Sequence, residues 1–514
     1  MKNLTTLLIS SLFIATFGFG QPNTIWTKTF GSDSQDYFNY VSVTSDSGYI
    51  ATGKYASNMW LLKTDASGNE EWQNINTPGM GWYCQQTSDG NYIMIGISED
   101  RPRLIKIDSY GYEIWNTPLN TFGNATYAYS GEQTSDGGYI ITGTSIVENN
   151  TYDVFLIKTD LNGNEEWGQT FGGSNYDKGY SVKQTTDGGY IIVGMTESFG
   201  EATDLYMIKT DSNGNQEWYR NYGGASHEIG WSIQQTPDEG YIIAGETTSY
   251  GAGERDAWLI KTNSAGIDEW SQTFGGSGHE RAYSVQQTDD GGYIIAGVDN
   301  SFCNNCNDVW IVKTDDNGTE EWNYSIDGGG DEEARSIHQT SDGGFIISGS
   351  NNGATDGWLV RIGFPTEVSG VISSNTTWSL ANSPYVVTGN ILVNSGVTLT
   401  IEAGVIIKFD SGKTFQNKGT VTAIGTSSNP IIFTSNQSSP AAGDWGYLDF
   451  ADNTVDASYD GNGGYSSGTI LKYVQVLYGG GTSNYGAINV TNSSIHMDNI
   501  TVKHSENYGI AYDK

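Results

Sequence analysis

Residues 165–216 read EEWGQTFGGSNYDKGYSVKQTTDGGYIIVGMTESFGEATDLYMIKTDSNGNQ, and variants of this phrase return along most of the chain. A Trp, usually preceded by Glu, falls at Trp26, Trp72, Trp115, Trp167, Trp218, Trp270 and Trp322, at spacings of 46, 43, 52, 51, 52 and 52 residues. Between these markers, an aromatic closing a Gly-containing turn recurs at Tyr49, Tyr92, Tyr139, Tyr190, Tyr241, Tyr293 and Phe345. One basic residue recurs as well, at Lys63, Lys106, Lys158, Lys209, Lys261, Lys313 and Arg361. Each unit holds four strand-like runs of the forms YSVQQT, GYIIAG, DxWLIKTD and EWxxTFGG, here called strands a to d. They are bounded by SDGG between a and b and by DxNGN between c and d, both of which carry hairpin chemistry. Four strands per unit of this length predict the blade of a β-propeller, whose radial repetition protects sheet edges. The coils of a parallel solenoid are shorter and need no tight hairpins inside each repeat.

The phase of the repeat predicts how the ring closes. The first unit opens on the d-type run TIWTKTF (24–30), whereas the last ends with WLVRIG at Gly363 and has no d run of its own. The N-terminal strand is therefore expected to complete a seventh blade. The seven Trp residues read as packing between blades, because a large ring buries much area.

Around the repeats, the wider sequence narrows the class. The 514 residues contain 24 Lys and Arg against 59 Asp and Glu, a formal charge of −35, yet only 16% are charged. The acidity is thus a shortage of bases spread over the repeats. A nucleic acid partner is excluded by repulsion and by the lack of a basic stripe. The N-terminus has Lys2, an apolar run from Leu4 to Phe19 and Gly18-Phe19-Gly20 before Gln21, the pattern of a secretory signal peptide over residues 1–20. Thr5, Thr6, Ser10 and Ser11 shorten its apolar stretch below that of a membrane span, and no other run is long enough. Export to the medium or the cell surface, as a monomer without a retained transmembrane segment, is expected. Three cysteines do not form a disulfide scaffold: Cys303 and Cys306 read as a local disulfide or two free thiols, and Cys84 as a small buried apolar residue.

The blade tails, of the form WLIKTDxxGNxEW, resemble the quinoprotein-type propeller repeat, in which a Trp docks between blades. The repeats are also similar to those of secreted propellers common in the Bacteroidetes, over about residues 24–363. A quinone-dependent dehydrogenase would imply a further blade and a cofactor pocket; neither is visible, and no cofactor is expected.

After Gly363 the repeat stops, with Pro365 at the join. The expected division is a propeller over 21–364 and a second domain over 365–514. Runs such as YVVTGNILV, VTLTIEAGVIIKF, GTVTAIG and NPIIFTS recur at the coil length of a right-handed parallel β-helix. The phrase GVTLTIEAGVIIKF followed by GTVTAIGTSSNPIIFTS resembles the opening coils of secreted β-helix proteins, including the pectate-lyase-like superfamily. The last residues arrive in mid-coil without a polar cap, so the β-helix is expected to be truncated. The fold class predicted is all-β, a seven-bladed propeller followed by a β-helix segment.

Functional candidates cluster on one face. The SDGG and DxNGN turns share one end of the propeller and are monotonous. The b-to-c and d-to-a connections share the other end and vary between units, as recognition loops do. Four residues before the Ser position of strand a stand Asp36, Asp177, Glu228, Glu280 and Glu332, with Gly79 and Thr126 in the two divergent units. With strand a innermost, these carboxylates are expected near the mouth of the central channel. Two readings stay open: a cation site, with Ca2+ the candidate for oxygen ligands, or acids that cap backbone of their own or the next blade. His227, His279, Arg281, Arg335, Trp82 and Trp231 lie within a few residues and extend the candidate ligand face. The DxNGN turns are not calcium loops, since Gly falls fourth and no Glu closes a longer loop.

Three functional readings follow. The first is a non-catalytic binding or adhesion protein that presents the variable face to an extracellular glycan or surface protein, with aromatics such as Trp82, Trp231, Phe199 and Tyr250 available to stack on sugars. The second is a β-helix polysaccharide lyase or hydrolase. The resemblance implies an Arg or Lys base beside calcium-binding acids, or clustered Asp, but no Arg follows Arg361 and Asp444, Asp449 and Asp498 form no recognisable cluster. His496 and Asp498 share a strand face by alternation, which a solvated face explains equally well. The third reading is a spacer in a larger surface protein.

Overall fold

The computed structural model describes residues 22–32, 34–120, 124–146, 151–200, 202–300, 307–351, 356–437, 439–452, 454–481 and 486–513. The proposed signal peptide and the Cys303–Cys306 pair lie outside these residues. Seven four-stranded antiparallel sheets form the propeller, and the last has the order Asn23–Phe30, Asp356–Gly363, Phe345–Asn351, Glu333–Gln339. The N-terminal strand thus pairs with strand c of the last blade, from Asn23 opposite Gly363 to Phe30 opposite Gly357, and closes the ring.

Local chemistry explains each element. Strands b and c carry unbroken apolar runs because both their faces meet a neighbouring blade. In Tyr190–Thr196 and Asp204–Thr210 every residue is buried. Each Ile or Leu so placed contributes about 1.5–3 kcal/mol. In the DxNGN turn, the Asp160 carboxylate accepts the N–H groups of Asn162 and Asn164, both at 2.8 Å, as expected of a hairpin. Gly163 there has a φ of 78°, and its face is covered by Trp115 of the preceding blade. Every d-strand Trp also meets the GGY aromatic of the next blade, as Trp167 meets Tyr190 at 5.8 Å and Trp26 meets Tyr49 at 5.8 Å across the closure. The Trp residues are interblade rivets. Cys84 is buried and its thiol donates to the Ile50 carbonyl at 3.4 Å.

Beyond the propeller, the strands of one large sheet from Thr366 onward pair in parallel, with a short antiparallel hairpin, Ser458–Tyr459 against Tyr465–Ser467, beside it. Successive coils stack Thr376–Trp378 on Thr398–Ile401 on Thr420–Ile424, and separately Ile406–Phe409 on Ile431–Ser435. Period-two burial sends Leu399, Ile407, Phe409, Val421 and Phe433 into a continuous core, where Phe409 stacks on Trp445 at 4.2 Å. This is a parallel β-helix. No helix among the described residues is long and apolar enough to cross a membrane.

Candidate functional site

The innermost strand of every blade carries a β-bulge at the same register. The pairing of strands a and b slips between Phe38 and Tyr40, Gly81 and Tyr83, Ala128 and Ser130, Gly179 and Ser181, Gly230 and Ser232, Ala282 and Ser284, and Ala334 and Ser336. A bulge re-aims the extra residue. Here the seven extra residues are Asn39, Trp82, Tyr129, Tyr180, Trp231, Tyr283 and Arg335, and all line one cavity of about 400 Å³ on the propeller axis. In six blades the residue before them is Gly or Ala, and the space there is tight: a Cβ on Gly230 would come within 2.5 Å of Val193.

Five of these side chains form a continuous aromatic belt. Trp82 meets Tyr129 at 5.1 Å, Tyr129 meets Tyr180 at 5.4 Å, Tyr180 meets Trp231 at 4.4 Å and Trp231 meets Tyr283 at 5.5 Å. Burial among these rings pushes the Tyr129 and Tyr180 phenols above their ordinary range, so both stay neutral. Polar groups complete the ring. Arg335 donates to Asn39 Oδ1 at 3.2 Å and pairs with Glu333 at 2.7 Å. Arg281 donates to the Tyr283 hydroxyl at 3.0 Å and pairs with buried Glu246 at 3.0 Å, which also takes Arg255 at 2.9 Å.

Below this cavity a second one of about 280 Å³ is shared by Tyr40, Tyr83 and four of the strand-a serines, and is floored by Glu132, Lys183, Gln234, Gln286 and His338. Glu132 and Lys183 pair at 3.1 Å. His338 bonds the Tyr40 hydroxyl at 3.0 Å, and burial together with Lys183 lowers its pKa to about 4. The floor residues also tie blades together: Gln234 and Gln286 accept the N–H groups of Gln287 and Gln339 at 2.8 and 2.7 Å, while Glu132 accepts that of Gln184. The inner sheet edges, which would otherwise be open, are satisfied this way.

The expected ring of carboxylates at the channel mouth is corrected. Asp36, Asp177, Glu228, Glu280 and Glu332 are all fully buried at blade junctions and line neither cavity. Each accepts backbone N–H from the preceding d-to-a loop: Gly173 to Asp177 at 2.8 Å, Gly224 to Glu228 at 2.8 Å, Gly276 to Glu280 at 3.0 Å and Gly328 to Glu332 at 3.1 Å, with Ser32 serving Asp36. The bulge is the reason: it leaves the acid pointing into the blade and turns the residue three positions later into the channel. His227 is exposed and bonded to Thr203 at 2.9 Å, and His279 pairs with Glu254 at 3.0 Å, both away from the cavity. Trp231 and Arg335 do line it, and Arg281 holds Tyr283 at its wall. Phe199 and Tyr250 serve packing, against Tyr206 at 5.6 Å and Trp258 at 5.5 Å. Sequence reasoning missed Tyr129, Tyr180 and Tyr283. Their signal was an aromatic directly before the strand-a Ser, where alternation alone would have sent it into the blade.

In the β-helix, Asp498 pairs with Lys472 at 3.1 Å and His496 packs on Tyr465 at 5.3 Å, a half-exposed strand face. Asp444 accepts from Ser435 at 2.6 Å and Ala441 at 2.8 Å, a local turn contact.

Residues 370–493 match the pectate-lyase-like β-helix domain, so the chain joins a seven-bladed propeller to a β-helix domain of that kind. Comparison with curated proteins gives no match. Among solved structures, the WD40 domain of Neurospora crassa Pan2 is similar over 66% of this chain and 95% of its own, at 9% identity and a TM-score of 0.46. The Dos1 propeller covers 63% of this chain and 77% of its own, at 11% identity and 0.41. A protein of unknown function from Bacteroides caccae covers 54% and 93%, at 11% and 0.37. Such likeness says nothing about ligands.

Proposed function

We propose that this protein is a secreted or surface-held, non-catalytic binding protein that takes an extracellular glycan into the central cavity of its propeller. The observation that carries the reading is the aromatic belt of Trp82, Tyr129, Tyr180, Trp231 and Tyr283 around a cavity of about 400 Å³. Aromatic faces stack on the C–H faces of sugar rings, and a few convergent polar groups fix orientation, as Asn39 and Arg335 do here. The variable loops around the opening select among partners, a surface protein included. The propeller acts as a monomer, and its acidity keeps nucleic acids away. The β-helix then serves as a rigid support.

A glycan array probed with the full chain tests this, with Trp231→Ala and Tyr180→Ala as paired variants. Binding by the parent and at least tenfold weaker binding by both variants supports the reading; retention of full affinity in both sinks it. A second reading, polysaccharide lyase or hydrolase activity, rests on the pectate-lyase-like match of residues 370–493. Release of reducing ends or unsaturated products by the full chain favours that alternative, and neither binding nor release favours a spacer.

A further inference from the structure

The junction between the sixth and seventh blades breaks the pattern of its sisters in a way that adds negative charge. At the other closely matched junctions, a Gly stands five residues before the strand-a acid: Gly31, Gly172, Gly223 and Gly275. It lies against two carboxylates, one from strand c and one from the next strand a. A Cβ on Gly172 would come within 2.4 Å of Asp153 and 2.7 Å of Asp177, and one on Gly275 within 2.2 Å of Glu280 and 2.9 Å of Asp256. At the sixth junction that position is Asp327, beside Asp308 of strand c and Glu332, the residue just before strand a. Three carboxylates therefore meet where the sisters have two and a glycine.

The three offer oxygens that all lie within 4.8 Å of one another. A fourth acid is close: Asp299 pairs directly with Asp308 across strands b and c, where the two preceding blades have Thr196 and Thr247. Two oxygens of the group are left over. Asp308 Oδ1 and Glu332 Oε1 accept no hydrogen bond, with Glu332 fully buried and Asp308 only 6% exposed; Asp153 Oδ1 and Asp177 Oδ1 are left over in the same way at a sister junction, so what sets this one apart is the third carboxylate, Asp327, brought up to them. The basic side chains of the two flanking strands, Lys313 and Arg335, are paired elsewhere, with Asp290 and Glu321 and with Glu333. Buried anionic oxygens without a donor are costly unless something positive meets them.

We infer that Asp308, Asp327 and Glu332 form a divalent cation site, specific to this junction, that takes a hard, oxygen-seeking ion of the Ca2+ class. All donors are carboxylate oxygens, with no nitrogen or sulfur, which favours Ca2+ over transition metals. Asp327 is exposed, so the ion enters from the loop face, and solvent completes its shell. Its Oδ1 accepts the Gly329 N–H at 2.7 Å, which leaves Oδ2 free to turn inward. Position adds a role: the ion would cross-link strand c of the sixth blade to strand a of the seventh, the blade that the N-terminal strand completes.

The test uses the full chain stripped of metal with EDTA and titrated with Tb3+, whose emission is sensitised by nearby Trp and Tyr, followed by Ca2+ competition and thermal melting with and without Ca2+. One saturable site displaced by Ca2+, together with a melting temperature raised by Ca2+, is expected. Asp327→Gly recreates the sister junctions and so preserves folding; it should weaken Tb3+ binding at least tenfold and abolish the Ca2+ shift in melting. Asp153→Asn, at a two-carboxylate junction, should leave both unchanged. Equal Tb3+ affinity in Asp327→Gly and the parent, or no saturable site in the parent, overturns the inference.

Discussion

On one strand, Tyr152–Thr159, two charged residues at opposite ends, Asp153 and Lys158, meet opposite fates. At the turn end Lys158 is buried between Asp136 at 2.9 Å and Glu166 at 3.1 Å, and also donates to the Thr159 carbonyl at 2.9 Å. At the loop end Asp153 has Asp177 as its charged neighbour, and its Oδ1 accepts nothing. The same arrangement repeats: Lys63, Lys209, Lys261 and Lys313 each sit between two acids within 3.1 Å. Asp46, Asp136, Asp187 and Asp238, the partners of Lys63, Lys158, Lys209 and Lys261, are held at pKa values of about 2 by the ammonium group and local hydrogen bonds. Asp153, by contrast, is pushed up to about 6 by burial and by Asp177. One end of the propeller is electrostatically closed; the other stores uncompensated charge around the loops that vary. That contrast is the reason both proposals, glycan recognition and cation binding, are made for the loop end.

The largest expected effect comes from opening the ring on which both ends depend. Deletion of residues 22–31 removes the closure strand and Trp26, and should lower the melting temperature by roughly 10 °C or more; an unchanged value refutes closure. Next, the two ends should respond unequally to a methyl group in their crowded glycines. In Gly189→Ala the Cβ would meet the Thr210 carbonyl at 2.1 Å and Lys209 Nζ at 2.6 Å, a backbone clash that should cost about 3 kcal/mol in urea unfolding. Gly172→Ala meets only carboxylate ends, which can shift, and should cost about 1 kcal/mol.

Charge removal should then give opposite signs at the two ends. Lys209→Met leaves Asp187, Glu217 and the Thr210 carbonyl without their donor, and should destabilise by about 1–2 kcal/mol at pH 7, a modest figure because both acids are half exposed. The Asp187 pKa is lowered to about 2, so the pairing is complete above pH 4 and is lost as pH falls through 2; parent and variant should converge there. Asp153→Asn should do the reverse and stabilise by about 1 kcal/mol at pH 7.5, after allowance for solvent screening. The Asp153 pKa is raised to about 6, so its penalty is absent below pH 4 and grows until pH passes 6. Thermal melts across pH 3–8 check both; equal pH profiles for the two variants would dissolve the contrast between the ends.

Much of this was legible in the chain. The Trp spacing and the SDGG and DxNGN turns fixed blade number, strand order and the sharing of the two ends, because hairpin chemistry is local and repetition leaves little else to pack. The phase of TIWTKTF (24–30) fixed the closure, and the change of pattern after Pro365 marked the β-helix. The channel was not legible in the same way. The innermost position of strand a suggested that Asp177 faces the channel mouth, and Tyr180 went unremarked; the bulge between Gly179 and Ser181 buries the first and turns the second to the axis. A bulge is set by how two strands twist against the next blade, and the small residue before it and the aromatic before the strand-a Ser are its faint marks in the chain.

The sequence by itself therefore determined the architecture, the interblade rivets and the charge balance, all of which follow from local turns, apolar runs and their copying around a ring. Only the tertiary structure decided which side chains face the axis, which acids are spent on capping backbone, and that Asp308 of one strand meets Asp327 and Glu332 of the loop that leads into the next blade. Those outcomes depend on residues brought together by ring closure and bulge geometry, which a linear pattern does not encode.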